Sequence, residues 1–587
     1  MSKRLIGFIA LVVLSTTSST PSWSLNCVQV EALLNQGLSQ AQVEAKVAEQ
    51  GGDPAIVAQC MTFFQAQDQK KELAQEAAPV AASPGRSTRV SLPKMRRKPS
   101  TRSRPRPAPA ASGSYAPPPP PEPVYRPIGT EGYTDYGLNE MTLVEKDAQS
   151  TFSVDVDTAS YAISRRKLRE GGLPPAASVR VEEFVNAFDY GYKAPRDGRP
   201  FAVDMEVMEN PEAGNRHILR VGVQGRALKG ERKPVHLTFL VDVSGSMGRP
   251  DKLGLAKEAL HHLVDNLGAE DTVALATYAG AERIVLQPTY TTRKAQIHEA
   301  IDSLDSGGGT SMNSGMELAY QLASESYLHG SENRVIVLSD GDANIGRTSH
   351  DEILATIERY AEEGITLTTV GLGMGNYKDS MMEQLANKGD GNYFYLDGIA
   401  EAHKVFGKDL AGTIQTIAKD VKIQVEFDPE AVHAYRLIGY ENRDIADRDF
   451  RNDRVDAGEI GSGHQVTAVY DVVLKEGAAD SDSIARVRLR AKAPGPDSAA
   501  KEYTWSVPMS ERSDFDEAGR DARAAWAVAT FAEKLRGSPF AQEISYSQLH
   551  RYATAASDDS DDFRELLELI GRAAALSGEG SPGVAAR

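Results

Sequence analysis

Cysteine is nearly absent from this sequence. Two residues in 587 cannot build a disulfide scaffold or a four-thiolate metal site. Histidine is sparse too, and the eleven scattered positions nominate no catalytic triad. A basic excess is missing: 65 Lys and Arg face 82 Asp and Glu, a formal net charge of -17, which argues against a chain-wide nucleic-acid binder. Long apolar runs are also missing. The run from Leu5 to Leu14 is too short to cross a bilayer, and no later one approaches the needed length. What is present is ordinary globular material, 41% hydrophobic and 7% aromatic, over a length that suits three or four domains.

The first residues read as an address. Lys3 and Arg4 precede the apolar run, and small and polar residues follow up to Ser22-Trp23-Ser24, the pattern of a secretory signal peptide over 1–24. The mature chain is then expected to be exported, to the periplasm, cell envelope or exterior, with no transmembrane helix. Residues 25–76 read as a small helical domain, with capping-box spacing at Ser39 and Gln42 and a stop at Gly51-Gly52. An oxidising compartment gives Cys27 and Cys60 a reason to pair, and such a bridge would contribute about 3–4 kcal/mol in the chain-entropy model; the alternative is two buried thiols. Residues 77–127 hold fourteen of the thirty prolines and ten Lys and Arg against one acid, Glu122. That composition predicts a disordered, extended linker. Its basic run from Lys94 to Lys98 could touch an anionic envelope polymer, although a solvated spacer is the simpler reading.

Globular patterning resumes near Gly129, in a segment over 128–200. Alternation in Phe201 to Val207 and His217 to Val223 predicts antiparallel strands over 201–233. From 234 to 408 buried apolar runs alternate with helical periods: Leu237 to Val241, Lys252 to Asn266, Val273 to Thr277, Arg293 to Leu304, Met312 to Ala323, Val335 to Leu338, Glu352 to Glu363 and Ile365 to Val370. This is the pattern of a doubly wound, mostly parallel α/β sheet. Alternating strands return over 409–510, and two amphipathic helices are expected within 511–587. The β segments on either side of the α/β unit could form one sandwich into which that unit is inserted.

The chemistry-bearing residues sit where the first parallel strand ends. Asp242, Ser244 and Ser246 at i, i+2 and i+4 can turn three oxygen side chains toward one point. Asp340 ends a second buried strand, and Gly307-Gly308-Gly309-Thr310 adds a hydroxyl beside a loop that permits close backbone approach. An all-oxygen set without His or Cys suits a hard divalent cation, Mg2+ first, with Mn2+ or Ca2+ possible. Asp242-x-Ser244-x-Ser246, Thr310 and Asp340-Gly341 resemble the metal-ion-dependent adhesion site (MIDAS) of von Willebrand factor type A (VWA) domains. That resemblance implies a metal held by Ser244, Ser246 and Thr310, with Asp242 and Asp340 in direct or water-mediated roles. A Glu or Asp of a protein partner would complete the octahedron. The flanks, Thr151 to Tyr161, Leu173-Pro174-Pro175 and Val179 to Glu183, resemble the bacterial YfbK-type VWA proteins, and the likeness extends from Gly129 to Leu576. Arg249 and Pro250 stand where integrin-type domains carry acids for an adjacent ion, so no second ion is expected there.

A capped turn before a helix would explain one of the five residues but not the set. An aspartyl phosphotransferase would want an acid at i+2, where Ser244 stands, and neither serine lies in a nucleophile elbow. The sequence therefore predicts a non-enzymatic, metal-dependent binding or adhesion protein. The alternatives are an envelope-assembly protein whose metal only stabilises the fold and, further off, a metal-dependent hydrolase.

Overall fold

A computed structural model of the chain describes residues 131–196, 198–228, 232–341, 347–373, 377–408, 410–478, 481–495 and 498–579. The expected signal peptide, the helical unit with Cys27 and Cys60, and the basic linker lie outside the described residues. Within this part the chain builds an α/β layer, a β-sandwich and a helical layer.

The α/β layer runs through strands β1 (Val235–Asp242), β2 (Thr272–Tyr278), β3 (Arg283–Tyr290), β4 (Glu332–Ser339), β5 (Ile365–Leu372) and β6 (Tyr393–Leu396). Helices α1 (Leu255–Asp265), α2 (Lys294–Asp302), α3 (Met312–Glu325), α4 (Arg347–Glu362) and α5 (Asp379–Lys388) connect them. The sheet order is β6-β5-β4-β1-β2-β3, parallel except that β3 runs antiparallel to β2. Every residue of β1 is buried, because helices cover both faces. Leu237, Phe239 and Val241 join one core with Ala256, Ala259, Leu260 and Leu263 of α1. Leu240 points the other way, into a core with Met316, Ala319, Tyr320 and Ala323 of α3. A strand period of two thus meets helical stripes at i, i+3, i+4 and i+7 on each side. Burial of each such Leu, Val or Phe contributes about 1.5–3 kcal/mol. The chain goes from β1 outward to β2 and later returns on β1's other side through β4. The carboxyl ends of β1 and β4 therefore flank the point where the winding reverses, the place such sheets reserve for ligands.

The sandwich is discontinuous in sequence. One sheet has the order Thr142–Leu143, Val432–Ile438, Gln465–Leu474, His217–Gly225, Phe201–Glu209, Arg512–Ser513. The other is built on Thr416–Phe427, flanked by Gln149–Ser153 and Ser483–Lys492. Leu219, Val221 and Val223 from the first sheet share a core with Ile423, Val425, Val487 and Leu489 from the second. Strands from before and after the α/β layer thus pair with each other, and that layer is an insertion. Helices Arg520–Leu535, Tyr546–Ala556 and Asp561–Leu576 pack with Ala159–Arg169 and Val181–Val185 around Phe184, Phe188, Phe531, Phe563 and Ile570.

The sequence reading left several elements unnamed, among them β3, β6, α5, strands Gln149–Ser153 and Val432–Ile438, and helices Ala159–Arg169 and Tyr546–Ala556. Strand β3 is half-exposed, with Leu286 and Thr289 its only buried residues, so it lacks the apolar run that marks its parallel neighbours. Strand Val432–Ile438 is short and has no clean alternation, whereas helix Tyr546–Ala556 carries a weak apolar stripe at Tyr546, Leu549, Ala553 and Ala556, two of whose members are alanines.

Buried ion pairs join the layers. Arg443, from the sandwich, places Nε 3.1 Å from Asp155 Oδ2 and Nη2 3.2 Å from Asp157 Oδ2, and donates through Nη1 to Asn387 Oδ1 of α5 at 2.9 Å. Arg180 donates to Asp379 at 2.5 Å at the start of α5, and to Glu183. No helix among the described residues is long and apolar enough to cross a membrane.

Candidate metal centre

Beyond Asp242 the chain enters a short turn, Gly245–Met247, whose Met247 is fully buried in the core under α1. That anchor turns the two serines back over the end of β1. The Ser244 amide donates to Asp242 Oδ1 at 2.9 Å, and the Ser244 and Ser246 hydroxyl oxygens lie 2.9 Å apart. The loop 307–310 is stitched to this turn by Gly307 N to Val243 O at 2.7 Å and Gly245 N to Gly308 O at 3.2 Å. Thr310, half-buried, ends that loop. Asp242, Ser244, Ser246 and Asp340 thus lie at the carboxyl ends of β1 and β4, and Thr310 follows two residues after the Gly308 carbonyl that accepts from Gly245.

The carboxylates are nearly inaccessible: Asp242 is 0% and Asp340 2% exposed. Burial pushes the Asp242 carboxyl up from its ordinary value, and the Asp340 charge adds to this; hydrogen bonds from Ser244 and Ser339 pull the other way. A buried carboxylate whose proton affinity is raised by burial and by a neighbouring acid invites a cation. Ser339 donates to Asp242 Oδ2 at 3.0 Å, and the Tyr278 hydroxyl lies 3.1 Å from the same oxygen. Tyr278 is the register partner of Asp242 on β2, so the sheet itself delivers it. Gly341 has φ +70°, and a Cβ there would come 2.7 Å from the Lys378 amide; only glycine lets the chain turn so tightly behind Asp340.

One cation is already present. Lys252 Nζ donates to Asp340 Oδ2 at 2.8 Å. Lys252 lies in the π-helical turn Pro250–Gly254 that precedes α1. Sequence reasoning missed Ser339, Tyr278 and Lys252. Tyr278 was recoverable from strand pairing and Ser339 from its place before Asp340, whereas nothing local marks Lys252. Arg249 and Asp251 pair with each other on the exposed rim at 2.9 Å.

The two serine hydroxyls have a separation compatible with adjacent ligand positions on Mg2+, which is also that of a hydroxyl hydrogen bond. Adjacent ligand oxygens on an octahedral Mg2+ with bonds near 2.0–2.1 Å lie about 2.9 Å apart, and the serine hydroxyls already stand at that separation. Among the described residues no group of three or more His, Cys, Asp or Glu is placed to hold a metal ion, so hydroxyls have to complete any set formed here.

A family model described as von Willebrand factor type A domain matches residues 236–408. A model described as von Willebrand factor matches 127–220, and one for the C-terminal part of the uncharacterized protein YfbK matches 412–576. Uncharacterized protein YfbK of Escherichia coli is 37% identical over 464 residues, covering 75% of this chain and 81% of that protein. Uncharacterized protein sll0103 of Synechocystis is 29% identical over 231 residues, 38% of this chain and 53% of its own length. Among solved structures, a von Willebrand factor type A protein from Catenulispora acidiphila aligns with a TM-score of 0.39 and 17% identity, covering 67% of this chain and 88% of that one. With its inserted α/β layer and matching flanks, the chain belongs to the bacterial von Willebrand factor type A proteins of the YfbK type.

Proposed function

We propose that the chain is an exported binding protein whose α/β layer captures an acidic side chain of a protein partner through a divalent cation, Mg2+ first. Ser244, Ser246 and Thr310 would hold the ion, with Asp242 and Asp340 contributing directly or through water. When bound, the ion supplies a Lewis-acidic position that a carboxylate can fill. The protein's own residues do the remaining work. Asp242 orients the serine turn through the Ser244 amide, and Ser339 and Tyr278 hold its far oxygen. The observation that carries the reading is the pair of serine hydroxyls 2.9 Å apart beside two buried carboxylates at the sheet's reversal point. Export rests on the amino-terminal sequence, and the basic linker would give reach and a possible foothold on anionic polymer.

The test is capture from native envelope material by the full mature chain in Mg2+ and in EDTA, with Asp242→Asn as control. The asparagine keeps an acceptor for the Ser244 amide, turns the position facing Ser339 and Tyr278 into an N–H donor, and removes the charge. Capture that needs Mg2+ and is lost in Asp242→Asn is the expected result. Equal capture in all arms would refute the reading. A metal-dependent melting temperature with metal-independent capture would assign the ion a purely structural role.

A further inference from the structure

We infer that Lys252 is a built-in counter-charge that weakens this site's hold on its cation in exchange for a stronger hold on the partner's carboxylate. The inference rests on the metal-dependent reading above and deepens it. Lys252 is 5% exposed and Asp340 2%, so the pair is fixed inside the protein rather than a passing surface contact. The lysine's route is also built. Gly373, at the end of β5, has φ +72°, and a Cβ there would overlap Lys252 Cγ at 2.3 Å. Its carbonyl is held by Arg166 Nη1 at 2.8 Å. The stem therefore threads a gap that any other residue at 373 would close.

Charge arithmetic gives the consequence. Of these three described residues, Asp242 and Asp340 bring two negative charges and Lys252 one positive, a sum of one negative charge beside the ion. A bound divalent ion then leaves one net positive charge in a poorly solvated place. Without the lysine the loaded site would be neutral. Charges within a few ångströms act strongly where water is excluded. Removing the ammonium should therefore make the cation bind more tightly and the carboxylate less tightly. A lysine that merely pegged the turn in place would weaken both together. Arg249, on the neighbouring turn, is exposed and paired with Asp251.

The test uses the full mature chain and Lys252→Met, which keeps an apolar stem in the gap. Mn2+ affinity is read by electron paramagnetic resonance. Acetate affinity of the Mn2+-loaded protein is read from water-proton relaxation as the anion displaces exchangeable water. The expected outcome is Mn2+ bound about tenfold tighter and acetate about fivefold weaker. Parallel weakening of both, or no change in either, would overturn the inference. Lys252→Gln, whose neutral amide can still donate to Asp340, carries the same signs if the methionine variant does not fold. Failure of both to fold makes the lysine a structural peg and also overturns it. Absence of any Mn2+ binding in the unaltered chain would instead sink the metal-dependent reading itself, so the two failures are distinguishable.

Discussion

At Asp242 burial, a neighbouring acid and three donors compete for one carboxylate. The donors are geometrically committed: Ser244 N at 2.9 Å, Ser339 at 3.0 Å and Tyr278 at 3.1 Å. Saturating Mg2+ should therefore raise the melting temperature, since a ligand that binds only the folded form at a hundred times its Kd adds about 2.7 kcal/mol. Differential scanning fluorimetry with and without EDTA checks this, and Asp242→Asn should abolish the shift. Gly341 offers a second residue-scale test. Alanine there must adopt a left-handed conformation and push its Cβ against the Lys378 amide. We expect a loss of about 1–3 kcal/mol in chemical denaturation, together with weakened Mg2+ binding, because the strain falls on the turn that positions Asp340. Asp242, Ser244, Ser246, Thr310 and Asp340 were legible in the sequence because each sits at a strand end or glycine turn that marks itself locally. Lys252 was not, since its partner lies 88 residues away and a lysine before an amphipathic helix is ordinary surface composition.

The elements differ in how they are specified. In the α/β layer the parallel strands announce themselves as apolar runs, because helices bury both faces. The antiparallel edge β3 did not, being half solvated. In the helical layer, Tyr546–Ala556 begins with a capping box: Ser545 Oγ accepts from Gln548 N at 3.1 Å, and the Gln548 side chain accepts from Ser545 N at 2.9 Å. Ser545→Ala should cost about 1 kcal/mol and show as faster amide exchange confined to that helix's first turns. A uniform change across the molecule would mean the cap is not what orders this end.

Across the whole molecule, the sandwich, the α/β layer and the amino-terminal helices meet on a buried, unevenly charged network. The carboxylates of Asp155, Asp157, Glu183, Asp379 and Glu383 face the guanidiniums of Arg180 and Arg443. Burial pushes the Asp157, Glu183 and Glu383 carboxyls up, against the pull of the arginines. Arg443→Leu would strand Asp155 and Asp157 and should cost about 3–5 kcal/mol, read as a lower melting temperature and loosened contact between layers in hydrogen exchange. Beside this network Glu182 is pushed up to about 7 by burial and by the charges of Glu441 and Asp155. A raised acid stabilises the fold fully below its unfolded value near 4.5, and that contribution is lost as pH rises through about 7. The unfolding free energy of the unaltered chain relative to Glu182→Gln should thus fall between pH 5 and 8, by up to ~3 kcal/mol. The comparison is needed because buried His217 and half-buried His464, held down to about 4 by desolvation, act in the opposite sense below their unfolded value. A flat difference across that range would show that Glu182 does not carry the effect.

The order of elements, the insertion of an α/β layer between β segments and the five-oxygen motif are properties of the chain alone, because strand and helix periods and strand-end turns are encoded within a few residues. The pairing of Lys252 with Asp340, the passage kept open by Gly373 and the Arg180 and Arg443 network were decided only by tertiary structure. Each depends on side chains distant in sequence meeting where water is excluded, and there a charge must find a specific partner that no local pattern can name.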